Sequence, residues 1–330
     1  MAARRKTKKR AIQSFAFIDT NIFLDFYRAP TENTLSLLEK LDRVKDRVIC
    51  TYQIEMEFLK NRQTEIMNIA KASNLDIDAR LPAVMGDSQL DTTLKRLKQE
   101  LDKRKKQLEE RVARIIDNPS GYDPIYSTLE TIFASEADLV LTRDMSIRHS
   151  IKRRAWRRFI LGYPPRKKND TSIGDALNWE WIIHCAQNRR GKIVIVSRDS
   201  DYGCKYNGKC FLNDALKKEF RDRVGKKSIL YTDKLSEALK ELQIHVTKAE
   251  EKSEQEQIRG LNLRSDLLSF DPQLMKQIES QRIVGNLGTH IDVENFERFK
   301  ELMRTLESSQ ERFQQFMSKK FGEEPKDGDS

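Results

Sequence analysis

FAFIDTN at residues 15–21 and KIVIVSRDSD at residues 192–201 share one pattern: a short apolar run without polar alternation, then acids. Aromatic and β-branched residues in an unbroken run suit a strand buried on both faces, as in a parallel sheet. Asp19 then stands at the carboxyl end of one strand, and Asp199 and Asp201 just past the carboxyl end of another. Open α/β sheets meet their ligands along this edge, so the two stretches predict both an architecture and a place for chemistry.

Outward from these strands, helical and extended patterns alternate. Residues 32–47 read as a helix with Leu35, Leu38 and Leu41 on one side, VICTY (48–52) as a second short strand, and a helix from Gln53 carries Glu57, Phe58 and Ile66. Leu90, Leu94, Leu97, Leu101, Leu108, Val112 and Ile115 recur at steps of four and three, with Arg104 in one slot. That spacing predicts a long amphipathic helix, one leg of a helical hairpin with residues 54–75. DNPSGYDP (117–124) ends it, since two prolines and a glycine cannot continue a helix. Residues 124–134 read as helix again, SEADLVLTRDMSIRHS (135–150) resolves to no element, and RFILGYPPRKKNDTSIGD (158–175) reads as loop. ALNWEWIIHCAQ (176–187) and residues 211–222 read as helices, SILYT (228–232) as a strand, and DKLSEALKEL (233–242) as a last helix capped by Asp233. The class expected is α/β, a sandwich around a mostly parallel sheet.

The expected divisions are a basic tail over 1–13, a catalytic domain over 14–248 with a helical insertion at about 70–135, a linker and helical extension over 249–320, and a disordered tail over 321–330. TKAEEKSEQEQ (247–257) is polar enough for a linker. Phe296, Phe299, Met303, Leu306, Phe313 and Met317 form the seam of a later helix, and with the insertion this seam is the candidate surface for a homodimer or a partner protein.

The chain has 330 residues and a formal charge of +10. Residues 250–330 hold 17 acids and 12 bases, so residues 1–249 carry +15. A polyanion is therefore expected to meet the first three quarters of the chain. The four cysteines are scattered and the histidines dispersed, which argues against a disulfide framework or a structural zinc site. No apolar run approaches membrane-spanning length, and the expectation is a soluble, cytoplasmic protein.

Phosphodiester hydrolysis needs the phosphate neutralised, a water oriented and the leaving oxygen stabilised, and divalent metals held by carboxylates do all three. Mg²⁺ and Mn²⁺ favour oxygen donors. FIDTN, YQIEMEF, GDALNW and VSRDSDY each supply an acid near an element's end: Asp19, Glu57, Asp175, and the pair Asp199 and Asp201. Asn21 is placed to steady Asp19, and Asn178 to orient Asp175 or substrate. Each acid alone has a plainer reading, as a helix cap or Asx-turn for Asp19, Asp175, Asp199 and Asp201, and as a solvated side chain for Glu57. Their joint occurrence at element ends in one α/β pattern favours the site.

These motifs resemble those of the PIN domain nucleases, and more narrowly a bacterial PIN-like subgroup with Pro-Pro-Arg-Lys before a Gly-Asp-Ala-Leu-Asn-Trp helix. The resemblance covers about residues 14–245, interrupted by the insertion. It implies a three-layer sandwich and makes Asp19, Glu57, Asp175 and Asp199, with Asp201 close behind, a catalytic and metal-binding acidic set. It also implies a Mg²⁺- or Mn²⁺-dependent endonuclease, usually of RNA and often in a toxin or antiviral defence setting.

RHSIKRRAWRRFILGYPPRKK (148–168) contains no acid and leads to Asp175. Its Lys152, Arg153, Arg154, Arg157, Arg158, Arg166, Lys167 and Lys168 are the expected phosphate-binding set, with Trp156 either stacking on a base or packing in the protein. The preferred reading is an endoribonuclease, with a DNA endonuclease of the same mechanism and a non-catalytic nucleic-acid-binding or assembly module as the alternatives.

Overall fold

The computed structural model describes residues 13–29, 31–72, 89–166, 172–225 and 227–268. The basic tail up to residue 12, the helical seam at 296–317 and the tail over 321–330 lie outside the described residues.

Five strands, β1 (Ser14–Ile18), β2 (Val48–Thr51), β3 (Val140–Leu141), β4 (Lys192–Val196) and β7 (Ile229–Thr232), form one parallel sheet in the order β3-β2-β1-β4-β7. Every residue of β1 and β2 is buried, as is all of β4 beyond Lys192, in keeping with apolar runs covered on both faces. β1 pairs with β4 over its full length, from Ser14 opposite Lys192 to Ile18 opposite Val196. The chain leaves β1 toward β2 on one side and returns to it through β4 on the other, so β1 and β4 bound the switch point of the sheet. β5 (Gly203–Tyr206) and β6 (Lys209–Leu212) form an antiparallel hairpin closed by Asn207 and Gly208, both at positive φ.

Helices flank the sheet: α1 (Thr20–Leu24), α2 (Glu32–Asp42), α3 (Tyr52–Ala72), α4 (Gln89–Asp117), α5 (Pro119–Tyr122), α6 (Pro124–Phe133), α7 (Arg148–Ile160), α8 (Gly174–Asn188), α9 (Asp214–Val224), α10 (Leu235–Glu241) and α11 (Lys248–Leu268). This is the α/β class expected, and among the described residues no helix is long and apolar enough to cross a membrane. Four local expectations change. The stretch 135–150 supplies β3 and starts α7. Residues 209–212 are strand, with helix following only from Asp214, where Asn213 caps it. Asp233 caps nothing; it accepts hydrogen bonds from Lys205 and from the Cys210 thiol, and α10 starts after Lys234 without a side-chain cap. The expected linker at 247–257 is the first half of α11, because Thr247 and Glu250 close a reciprocal capping box: Glu250 N–H donates to Thr247 Oγ1, and Thr247 N–H to Glu250 Oε2.

The chain forms two compact units, Met1–Arg28 with Leu38–Ile244, and Ala29–Leu37 with His245–Ser330. In the second, Ser253 Oγ bonds both Thr31 and Thr34, and Ser36 donates to Glu250. In the first, two buried ionic networks replace apolar packing between helices. Asp123 caps α6 through Oδ1, accepting from the N–H groups of Ile125 and Tyr126 at 3.0 Å each, while its Oδ2 accepts from Arg62 Nη2 at 2.7 Å and the Tyr27 hydroxyl at 2.7 Å. Arg62 Nη2 also donates to the Ile115 carbonyl at 2.8 Å, joining α3 to the last turn of α4 as the two legs of the expected hairpin. Glu180 gathers Arg154, Arg158 and Arg223 and so binds α8 to α7 and α9. Burial alone would raise the Glu180 carboxyl, but hydrogen bonds and charge from Arg223 and Arg158 offset this and hold it below its ordinary range.

Removing one partner of a buried pair strands the other charge. Asp123→Ala is expected to lower unfolding free energy by ~3–5 kcal/mol, read as a lower urea midpoint at unchanged slope.

Candidate active site

β1 delivers Asp19 to the switch point, and the β1–β4 pairing extends one residue to hold it there: Asp19 N–H donates to the Val196 carbonyl at 3.0 Å. Asp19 is also the N-cap of α1, with Oδ1 accepting from Thr20 N–H at 2.7 Å. Its Oδ2 accepts from Ser197 Oγ, the residue after β4, at 2.5 Å, and from Asn21 Nδ2 at 3.2 Å. Asp19 is only 4% exposed. Burial, then the charges of Asp199 and Glu57, push its carboxyl up to about 7 against the hydrogen bonds from Ser197 and Thr20. A capping role and a place in an acidic cluster therefore coincide in one residue.

α3 brings in Glu57. Its Oε2 accepts from Thr20 Oγ1 at 3.1 Å and its Oε1 from Gln53 Nε2, one turn earlier, at 2.8 Å. The start of α8 comes so close that a Cβ on Gly174 would stand 2.5 Å from Glu57 Oε1. Glycine at 174 is what permits the start of α8, with Asp175 in its first turn, to pack against Glu57. Asp175 is not the N-cap of its helix, a position held by Ile173 without a side-chain bond, although its carboxylate suits the positive end of the helix dipole. Asp199 is half-buried beyond β4; its N–H donates to Ser197 Oγ at 3.0 Å and its carbonyl accepts from the Tyr231 hydroxyl at 3.1 Å.

Tyr202 lies in the field of four of these carboxylates. This side chain is fully buried, its ring 6.0 Å from that of Phe17, and its hydroxyl has no hydrogen-bond partner among the described residues. Burial and then Asp175, Asp19, Glu57 and Asp199 raise its phenol far above the ordinary value. Asp201, its chain neighbour, is half-buried. In sequence Tyr202 is legible only as the residue closing VSRDSDY; a tyrosine beside acids gives no signal that it is their common neighbour.

Among the described residues, no three acidic, histidine or cysteine side chains stand close enough together to hold a metal ion between them. Mg²⁺ does not require three, since it keeps several waters and binds through one or two carboxylates. The donors are all hard oxygens, Asp19 has a raised affinity for positive charge, and the Asn21 Oδ1 acceptor has no partner among the described residues. Such a group fits Mg²⁺ or Mn²⁺.

The remaining predicted residues divide. Asn178 is fully buried behind the cluster, its Oδ1 accepting from Thr51 Oγ1 at 2.6 Å and its Nδ2 without a partner among the described residues. Arg158 is buried against Glu180 and Glu219, and Arg154 is paired with Glu180, so these guanidinium groups hold α7 to its neighbours. Lys152, Arg153, Arg157 and Arg166 are exposed, while Lys167 and Lys168 lie outside the described residues.

A family model described as the PIN domain matches residues 16–202. No curated protein and no solved structure matches the chain. PIN domains are typically nucleases that use divalent metal ions, commonly Mg²⁺ or Mn²⁺. The matched span runs from β1 through the turn that carries Asp199 and Tyr202 and takes in more than half of the chain, which belongs to the PIN domain family.

Proposed function

We propose that this protein is a Mg²⁺- or Mn²⁺-dependent endoribonuclease whose acidic set is Asp19, Glu57, Asp175, Asp199 and Asp201. The observation that carries the reading is that Asp19, Glu57 and Asp199 are tied together through Thr20 and Ser197 at the switch point of the sheet, where the start of α8, carrying Asp175, closes on Glu57. Asp123 and Glu180, buried between helices, are matched by arginines, whereas Asp19 has the acids Asp199 and Glu57 close beside its hydrogen-bond donors. Like charges gathered in a cleft are costly without a cation, and perturbed groups of this sort mark functional sites. RNA as the substrate, and a toxin or defence setting, rest on the family resemblance.

In the mechanism, Asp19, Asp175 and Asp199 would hold the divalent ion, one or two of them directly and the rest through its bound waters, and Glu57 completes the acidic cleft. The ion supplies charge neutralisation at the phosphate and acidifies water. Asp201 accepts a hydrogen bond from the attacking water and orients it in line with the scissile bond. Oxygen from that water forms a bond to phosphorus as the bond to the 3′ oxygen breaks; the products are a 5′-phosphate and a 3′-hydroxyl that takes up a proton. Ser197 and Thr20 fix the Asp19 carboxylate, and Thr20 and Gln53 fix Glu57, so the acids are positioned before substrate arrives.

With end-labelled single-stranded RNA and Mn²⁺, Asp19→Asn and Asp199→Asn are each expected to reduce cleavage on the order of 10²–10³-fold while keeping the wild-type circular dichroism spectrum. Undiminished cleavage by either purified variant defeats that residue's assignment, and cleavage confined to matched DNA moves the substrate to DNA.

Gly174→Ala forces the Glu57 carboxylate aside. A loss of about tenfold or more in kcat is expected, with little change in melting temperature because the displaced atom ends a flexible side chain. A variant as active as wild type would show that the close approach of α8 to Glu57 has no catalytic role.

Folded Asp19 keeps its proton to about 7, against 3.8 ordinarily, so between these values the folded state binds more protons than the unfolded one. Its contribution to stability is fully present below the lower value and is lost as pH rises through the upper one. In EDTA, Asp19→Asn should therefore gain on wild type in melting temperature between pH 5 and pH 8, by the equivalent of about 1 kcal/mol or more. The Asn21 amide can rotate its partnerless Oδ1 toward the new amide. An unchanged gap between the two proteins across this range would remove the strained-carboxylate account of Asp19.

A further inference from the structure

We propose that the outward face of α7 is a docking platform for single-stranded nucleic acid, on which Trp156 stacks a base between phosphate contacts from Lys152, Arg153 and Arg157. It rests on the nuclease reading only in taking the docked strand to be the substrate.

Helical steps of 100° place Lys152, Trp156, Ile160, Arg153 and Arg157 within an arc of about 140°. Ile151, Ala155 and Arg158 lie on the opposite side and are buried, while Lys152, Arg153, Trp156 and Arg157 are exposed. Trp156 is 45% exposed and Ile160 73%, and the turn that follows leaves Leu161 51% and Tyr163 54% exposed. Four large apolar side chains open to solvent within eight residues are a patch rather than scattered surface, and such patches mark interaction sites.

The charges around the patch choose the occupant. Lys152, Arg153 and Arg157 form no ion pair with any described residue, and residues 148–166 include no acid. Within the same helix, Arg154 and Arg158 are consumed by Glu180, so the acids that could neutralise α7 are spent on its inner face. Trp156 is braced from behind: its ring meets Phe159 edge-on at 5.9 Å, and the Arg166 guanidinium lies 4.4 Å from the Phe159 ring centre while donating to the Phe159 carbonyl at 2.9 Å. A held aromatic surface set among unpaired cations is the chemistry that receives a single strand, whose bases offer flat faces and whose phosphates follow at short intervals. A duplex turns its base faces inward and would engage the cations while leaving Trp156 and Ile160 uncovered. α7 packs on α8, the helix whose first turn carries Asp175, so the platform belongs to the same pair of packed helices as one of the acids.

The test uses the full chain in EDTA, where cleavage cannot occur, with fluorescein-labelled single-stranded RNA, single-stranded DNA and a blunt hairpin duplex read by anisotropy. Of the three tryptophans, Trp179 and Trp181 are buried, so quenching of tryptophan emission by an unlabelled strand reports Trp156. Expected are tighter binding of single strands than of duplex and quenching on single-strand addition. Trp156→Ala should weaken single-strand binding about tenfold, and Trp156→Phe should restore most of it. Arg153→Ala with Arg157→Ala should lower the slope of log K against log salt by about 0.7 for each phosphate that the strand no longer has neutralised. Single-strand affinity unchanged in Trp156→Ala, or equal affinity for duplex and strand, overturns the platform; so does an acidic protein partner that protects Trp156 while oligonucleotides leave its emission unchanged. Failure of the platform with Asp19-dependent cleavage intact would sink this inference and spare the nuclease reading.

Discussion

The pairing of β1 with β4 is the constraint on which the site depends. It joins residues about 180 positions apart, is continued by the Asp19 N–H bond to Val196, and is locked by Ser197 Oγ on the Asp19 carboxylate. Slip the register by one residue and Asp19 loses Ser197, its N–H loses the Val196 carbonyl and Tyr202 loses Phe17. Everything else arrives by attachment to this pair: Glu57 through Thr20, Asp175 through the close approach that Gly174 permits, and Asp199 through Ser197.

The fold handles buried charge in two opposite ways. Between helices, Asp123 and Glu180 are surrounded by guanidinium groups and hydrogen bonds, and Glu180 ionises more readily than a free glutamate. At the carboxyl edge of the sheet the same residue types are set against one another, and Asp19 ionises with difficulty. Both regions desolvate carboxylates, so burial alone does not separate them; at Glu180 guanidinium groups offset it, whereas at Asp19 the neighbouring Asp199 and Glu57 add to it. α7 shows the division within a single helix, with arginines inward on Glu180 and cations outward to solvent.

The central strands are legible in the sequence because unbroken apolar runs have few alternatives, and the acids are legible because strand ends in such sheets are special. The hairpin β5–β6 escapes that reading, although Asn207-Gly208 is a strong turn signal. Its strands are short and largely exposed, so hydrophobic alternation never rises above the helical pattern that follows. The start of α11 reads as linker because Glu250, Ser253, Glu254 and Gln257 look solvated in sequence, yet all four are buried. Arg154 and Arg158 cannot be told from Arg153 and Arg157 by residue type; only helical phase, set by burial of Ile151 and Ala155, separates them. Tyr202 stays invisible because its role is to be near four acids, some of them distant in sequence.

The separation of Asp19 from Asp199 also sets when the acidic cluster can first exist. Contacts spanning so much chain must wait for loop closure and form late in folding. During synthesis, β1, β2, α3 and α4 emerge from the ribosome before the strand that completes the cleft. A fragment cut short before β4 carries Asp19, Glu57 and Asp175 with no strand to align them, so the nascent chain lacks the cleft until β4 has emerged.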